Sequence, residues 1–163
     1  MASSGTAELT LPSDTQILIT REFEAPRHLV YRAYTAPEFV ERWWGGQRGN
    51  VTLAESDLRV GGRWRYVMTA NEGFEVAFHG EFREVVTNER IVNTEVYEAM
   101  PDKEALVTVT FTEVDGRTTL SMLTEMDSKE SRDGLVASGM EVGVQEGFDV
   151  LERLAIELAE AEG

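Results

Sequence analysis

The side chains that could support acid–base or metal chemistry are few in this sequence. Its two histidines, His28 and His79, lie far apart along the chain, so they form no local metal-binding motif. There is no cysteine, which excludes a disulfide, a thiol nucleophile and a thiolate metal site. Neither a nucleophile motif nor an EF-hand spacing occurs. We therefore predict no catalytic residue set, no metal site and no cofactor.

Polar residues on predicted strands are the remaining candidates for catalysis. They are Glu55, Asp57, Glu95 and Tyr97. A cyclase- or dehydratase-like enzyme could use one such side chain, with a bound water, on an apolar substrate. That alternative predicts an ionisable side chain that is buried in a cavity beside a polar partner and has a raised pKa.

Two arginines are candidates for binding an anionic group. Arg48 and Arg59 belong to an arginine-rich stretch of an otherwise acidic chain. If either lies at the rim of a cavity, its guanidinium can pair with a ligand carboxylate. The alternative is an ordinary solvated surface charge.

The overall charge excludes several classes of partner. The 163 residues carry a formal net charge of -15, whereas a nucleic-acid-binding surface needs a basic stripe. Negative charge also opposes binding to anionic lipid, and no apolar run is long enough to span a membrane. The first residues, MASSGTAELTLPSD, lack the basic and apolar regions of a secretory signal. We expect a soluble cytoplasmic protein that binds neither nucleic acid nor a membrane.

Local patterns predict the elements that must position these residues. A strand is predicted over Thr15–Ala25, and Pro26 and Pro37 each open a short helix. The second helix ends in the sequence WWGG at residues 43–46. From residue 51 onward, alternation of apolar and polar residues indicates further strands, about six or seven in all. The turns between them are short, which requires an antiparallel sheet.

A long amphipathic helix is predicted from Val136 to Leu158. Its apolar face comprises Met140, Val144, Leu151, Leu154, Ala155 and Leu158, and the residues expected mostly away from that face are Glu141, Gln145, Asp149 and Glu152. The apolar faces of a helix and a sheet can cover each other, so the sheet should curve around this helix in an α+β fold. We expect residues 1–13 to form a flexible tail and residues 14–160 to form a single domain.

Three glycines recur every four residues in this segment, at Gly139, Gly143 and Gly147. One interpretation is a close approach of the helix to the sheet. The other is that the missing side chains leave an empty volume. We predict a cavity beneath these glycines and a solid core beneath Leu151–Leu158.

Aromatic and thioether residues of the strands should point towards the helix, where they either form part of the core or line that cavity. Trp43 and Trp44 diverge by about 100° on a helix, so one indole can enter the core while the other faces the cavity. The alternative is that both cap the core. The predicted ligand-binding residues are Trp43, Trp44, Trp64, Tyr66, Met68, Phe78, Phe82, Met122, Met140, Gly143, Val144, Gly147 and Phe148. Phe74 and Met126 are expected on the same inward-facing surfaces.

Four stretches together resemble one bacterial protein family. They are APRHLVYRAYTAPEFVERWWGG, DLRVGGRWRYVM, VTVTFTEVDGRTTL and GVQEGFDVLERL. They are similar to bacterial relatives of the C-terminal domain of the activator of Hsp90 ATPase, and the similarity runs from about Ile17 to Leu158. Many relatives carry Gly-Trp where this chain has Gly147-Phe148, so the aromatic ring is kept while the indole N–H donor is lost.

The resemblance implies a helix-grip fold of the SRPBCC group, which includes START, Bet v 1-like and polyketide cyclase-like proteins. Such proteins enclose a hydrophobic cavity between a sheet and a long helix. The resemblance therefore implies binding of a small hydrophobic or amphipathic ligand, with the enzyme described above as one alternative. A co-chaperone or protein-interaction module is the other alternative, and it predicts a shallow or filled cavity and an exposed apolar patch elsewhere.

Overall fold

The helices and strands form an α+β architecture in a computed structural model that describes residues 6–45 and 47–162. The described strands are β1 (Glu8–Thr10), β2 (Gln16–Phe23), β3 (Gly49–Ser56), β4 (Arg63–Ala70), β5 (Glu75–Val86), β6 (Arg90–Tyr97), β7 (Glu104–Val114) and β8 (Arg117–Glu125). The described helices are α1 (Arg27–Thr35), α2 (Pro37–Trp43), α3 (Lys129–Ala137) and α4 (Met140–Glu162). Residues 1–5 of the expected tail and Gly46, at the predicted end of the second helix, lie outside the described residues.

The strands form one antiparallel sheet in the order β1-β2-β8-β7-β6-β5-β4-β3. Its tightest turn joins β7 to β8 through Asp115 and Gly116, both of which have positive φ, as a two-residue hairpin turn requires. The curved sheet and the long C-terminal helix confirm the predicted helix-grip architecture.

The sheet has one strand more than the upper predicted number. The extra strand is β1, whose residues Glu8, Leu9 and Thr10 pair with Thr20, Ile19 and Leu18 of β2. The expectation of a flexible tail over residues 1–13 is therefore wrong at residues 8–10. A three-residue strand has almost no pattern of its own, and its pairing with β2 stabilises it.

The C-terminal segment is divided into two helices, which corrects the prediction of one helix from Val136. Helix α3 begins after Ser128, whose side chain accepts a hydrogen bond from the Ser131 backbone N–H. The helical conformation is then interrupted at Gly139, which has a φ of +87°. This left-handed conformation is open to glycine and ends a helix, so α4 begins at Met140.

Helix α4 lies across the concave side of the sheet and contacts α1 and α2. Its buried residues are Gly147, Phe148, Leu151, Leu154 and Ala155. The two short helices begin as predicted, with Pro26 preceding α1 and Pro37 as the first residue of α2. None of the described helices is both long and apolar enough to cross a bilayer.

Two acidic residues of α4 contact the sheet instead of lying away from it. The guanidinium of Arg21 on β2 is buried, and its Nη1 and Nη2 atoms lie 2.9 Å from Asp149 Oδ1 and 2.8 Å from Glu152 Oε1. The prediction that Asp149 and Glu152 face away is therefore wrong, because a buried guanidinium requires anionic partners. Phe74 was also expected inside, but it lies before β5 and is 56% exposed.

The glycines of α4 generate the first testable prediction. A Cβ atom at Gly147 would lie 2.8 Å from the Trp43 carbonyl oxygen, whereas one at Gly143 would lie 3.7 Å from its nearest neighbour, Arg48 Nε. Gly147→Ala should therefore destabilise the protein by about 1–3 kcal/mol. Gly143→Ala should stabilise it by up to about 1 kcal/mol, since alanine favours the helix. Urea unfolding followed by circular dichroism measures both changes, and shifts of the same sign would contradict this account.

Candidate ligand-binding cavity

A cavity of about 350 Å³ lies where the glycine-containing half of α4 faces the sheet. Its α4 wall contains Gly143, Val144, Gly147 and Phe148, and Leu151 is not part of it. Leu151 and Leu154 are instead fully or almost fully buried in the core. The empty volume thus lies beneath the glycine half of α4, and a packed core lies beneath the first leucines of the other half.

All thirteen predicted ligand-binding residues line this inner cavity. Those on the sheet are Trp64, Tyr66, Met68, Phe78, Phe82 and Met122, those on α4 are Met140, Gly143, Val144, Gly147 and Phe148, and the remaining two are Trp43 and Trp44. Met126, also expected to point inward, lines the adjoining outer cavity instead. The structure therefore brings residues from distant parts of the sequence around one volume.

The paired tryptophans have different surroundings. Trp43 is 7% exposed, its Nε1–H donates to the Ala33 carbonyl oxygen at 2.9 Å, and its ring stacks on Tyr34. Trp44 is partly buried, and its ring meets those of Tyr66 and Phe78 edge-on at centroid distances of 5.7 Å. Trp43 therefore belongs mainly to the core, and Trp44 belongs to the aromatic wall of the cavity.

The two interpretations of these glycines apply at different positions, with one correction. Gly147 allows a close approach, but to the backbone at the end of α2 and not to the sheet as predicted. Gly139 and Gly143 have more space beside them, since among the described residues the Arg48 side chain is what lies near their Cβ positions, at 3.5 Å or more.

Of the two candidate rim arginines, only Arg48 lines the cavity. Its side chain lies beside the first turn of α4, and no carboxylate of the described residues lies within 4.0 Å of its guanidinium. Arg59 is 74% exposed and pairs with Asp57 at 2.7 Å. The prediction of Arg59 as a rim residue is therefore wrong, since a neighbouring carboxylate already holds it outside the cavity.

One of the four polar strand residues also lines the inner cavity. Glu95 lies on β6, and burial raises its pKa to about 7. Glu55 and Asp57 are exposed, and Tyr97 stacks on Phe78 beside the adjoining outer cavity. Sequence reasoning identified all four only as polar residues on predicted strands, and the packing of several elements distinguishes Glu95 from the other three.

Two tyrosines lie near Glu95 in the same cavity. Burial raises the pKa of Tyr66 above its usual value. Burial also raises the pKa of Tyr34, with smaller contributions from the nearby Tyr66 and Glu95. Within the described parts of the chain, none of these three side chains forms a hydrogen bond to another protein group. Sequence reasoning missed Tyr34, whose only signal was its place near the end of an amphipathic helix.

A second, outer cavity of about 990 Å³ adjoins the first. The residues that line both are Arg48, Met68, Val76, Phe78, Glu95, Leu135 and Ser138. Helix α3 supplies Leu135 to this shared boundary, and Phe74 and Met100 lie further out. The two cavities therefore share part of their walls, and sequence reasoning missed the contribution of α3.

The pKa of Glu95 generates a prediction about stability. The folded protein binds this proton up to about pH 7, whereas an unfolded carboxyl loses it near pH 4.5, so stability should fall as pH rises between these values. Glutamine cannot ionise, so Glu95→Gln removes this loss. The free energy of unfolding of the variant, relative to that of the wild type, should therefore increase by about 2–3 kcal/mol between pH 4.5 and pH 8. Urea unfolding at both pH values measures the difference, with the exposed Glu55→Gln as the control. If the difference in free energy of unfolding between Glu95→Gln and the wild type is the same at both pH values, the account is contradicted.

Comparison with solved structures supports the fold described above. The chain is 26% identical to a protein from Rhodobacter sphaeroides, with a TM-score of 0.85 over 94% of this chain and 99% of that one. It is 26% identical to a protein from Mycobacterium smegmatis, with a TM-score of 0.81 over 90% of this chain and 94% of that one. A protein from Nitrosomonas europaea, 22% identical, has the same fold, with a TM-score of 0.80 over 92% and 99% of the two chains.

Sequence comparison assigns the family. A search of curated proteins found no match. Residues 24–155, however, match the family described as Activator of Hsp90 ATPase homolog 1-like protein. The matched region begins directly after β2 and ends within α4. The chain therefore belongs to the Activator of Hsp90 ATPase homolog 1-like family.

Proposed function

We propose that this protein binds a small hydrophobic or amphipathic ligand in the inner cavity. The observation that carries the proposal is an apolar volume of about 350 Å³ lined by the residues predicted for that role. Ligand pockets occupy roughly 300–1,000 Å³ and are lined mainly by apolar and aromatic side chains with a few polar groups. The family fits a ligand-binding fold in general, and the cavity supports a ligand site between α4 and the sheet.

Arg48 favours a ligand with an anionic group at the cavity mouth. Its guanidinium has no carboxylate partner among the described residues, and it lies beside the first turn of α4. The N-terminal end of a helix also favours negative charge. An amphipathic ligand could therefore place an apolar body among the aromatic residues and a carboxylate beside Arg48.

A cavity of about 350 Å³ counts against a protein-interaction module, which predicts a shallow or filled cavity. A cytoplasmic location remains part of the proposal and is based on the acidic, cysteine-free composition.

Filling the inner cavity should abolish uptake of an apolar probe. In Gly143→Leu, the new side chain would occupy the space beside Val144 and Gly147, so the affinity for N-phenyl-1-naphthylamine should fall by at least about tenfold. Gly143→Ala is the matched control and should retain the probe, because a methyl group there makes only ordinary contact with Arg48. Probe fluorescence measures affinity and circular dichroism checks folding. Unchanged uptake by a folded Gly143→Leu variant would exclude this site.

A second candidate function is acid–base catalysis on an apolar substrate. The observation that favours it is Glu95, a buried carboxyl with a pKa of about 7 that lines the cavity beside two tyrosines. This is the arrangement that the enzyme alternative predicts, since a base with a pKa near neutrality suits proton transfer at physiological pH.

The enzyme alternative can be tested with 1-tetralone in heavy water. The Glu95 carboxylate would remove a proton from the carbon beside the carbonyl, and return of a deuteron would label that carbon. Proton NMR should show labelling faster than in buffer, with a rate that rises with pH through about 7. Glu95→Gln should lower the protein-dependent rate by at least about 100-fold. Labelling no faster than in buffer would exclude this proton transfer.

A further inference from the structure

The inner cavity contains a cluster of polar groups that the apolar lining does not explain. Tyr34 comes from α1, Tyr66 from β4 and Glu95 from β6, so three separate elements supply it. The three groups are close enough for Tyr66 and Glu95 to act electrostatically on Tyr34. Such convergence in one small volume is a property of the folded structure and of no single motif.

Neighbouring polar groups in the cavity wall are hydrogen-bonded within the protein. The Trp64 Nε1–H donates to the Thr94 carbonyl oxygen at 3.2 Å, and the Asn93 Nδ2–H donates to the same oxygen at 2.9 Å. The side chains of Tyr34, Tyr66 and Glu95 have no such partner among the described residues. All three side chains are half-buried and line the inner cavity, so their polar atoms can bond to something that occupies it.

We propose that Tyr34, Tyr66 and Glu95 form a hydrogen-bond-donating site for the acceptor oxygen of an apolar carbonyl compound, such as a ketone. This inference rests on the proposed binding function and specifies the ligand class. Each phenol carries an O–H, and the neutral form of Glu95 adds a third, so the site matches an oxygen that only accepts hydrogen bonds.

The protonation of Glu95 agrees with this role. Burial favours its neutral form and raises its pKa to about 7, so a donor hydroxyl persists close to neutrality. A buried carboxylic acid that donates to a substrate oxygen is an established type of oxyanion-binding group. Above pH 7 the ionised carboxylate would repel a carbonyl oxygen instead.

Among the described residues, no cationic side chain lies close to Glu95. In the inner cavity, the other charged and titratable groups among the described residues are Tyr34, Tyr66 and Arg48, and Arg48 lies at the mouth beside α4. In the outer cavity, which Glu95 also lines, they are Arg48, Glu72, Tyr97, Lys103, Glu130 and Glu146. The shift in the pKa of Glu95 is attributed to burial alone, so none of these groups controls its ionisation.

The test compares 1-tetralone with tetralin, which has nearly the same shape and lacks the carbonyl. Affinities come from displacement of N-phenyl-1-naphthylamine at pH 6.0 and pH 8.5. In the wild-type protein, 1-tetralone should bind about tenfold more tightly than tetralin at pH 6.0, and this advantage should shrink at pH 8.5. Glu95→Leu should lose most of the advantage, and Tyr66→Phe should lose part of it.

Two further variants distinguish a hydrogen bond from a general change in the protein. Glu95→Gln retains an N–H donor and cannot ionise, so its preference for 1-tetralone should be the same at both pH values. Glu55→Leu makes the same chemical change as Glu95→Leu on the exposed edge strand β3 and should alter neither affinity.

The possible results separate this inference from the binding proposal. If tetralin and 1-tetralone bind the wild-type protein equally well, the inference is overturned and the apolar binding function stands. If neither ligand nor the probe binds, both are overturned. Tighter binding of cationic 1-aminotetralin at pH 8.5 than of 1-tetralone at pH 6.0 would also overturn it, because Glu95 would then act as a counter-ion.

Discussion

The cavity depends on one close contact between α2 and α4. Trp43 at the end of α2 reaches its carbonyl oxygen to within 2.8 Å of where a Gly147 side chain would begin. Because α2 is held so near to α4, the Trp43 ring packs into the core, and Trp44 and Arg48, which follow it in the sequence, line the cavity. The lack of a side chain at Gly147 thus sets the position of the aromatic wall of the cavity and of Arg48 at its mouth.

The two halves of α4 have different tasks. The leucine half buries Leu151 and Leu154 in the core and is joined to β2 through the buried guanidinium of Arg21. The glycine half borders the cavity, although Phe148 within it is also buried in the core. Since burial of apolar side chains stabilises the fold, the leucine half can hold the helix in place while the other half stays open to a ligand.

Much of the fold and the composition of the cavity wall could be predicted from periodicity. A period of two places alternate strand residues on one face, so the inward positions of Trp64, Tyr66 and Met68 follow from the sequence of β4 alone. The features that escaped prediction depend on distant contacts. Strand β1 needs its partner strand, and the positions of Asp149 and Glu152 depend on Arg21, which lies far away in sequence. The break at Gly139 depends on a backbone conformation that its regular spacing conceals.

The fold does not require the polar cluster in the cavity, whereas a function could. The fold is shared with structures only 22–26% identical to this chain, so its stability does not depend on most individual side chains. Apolar residues at the positions of Tyr66 and Glu95 would fill the wall without leaving unpaired polar atoms. Burial of an ionisable carboxyl instead lowers stability wherever the carboxyl must ionise, as its raised pKa shows. A residue that lowers stability and lines the cavity is what the proposed ligand-binding function leads us to expect.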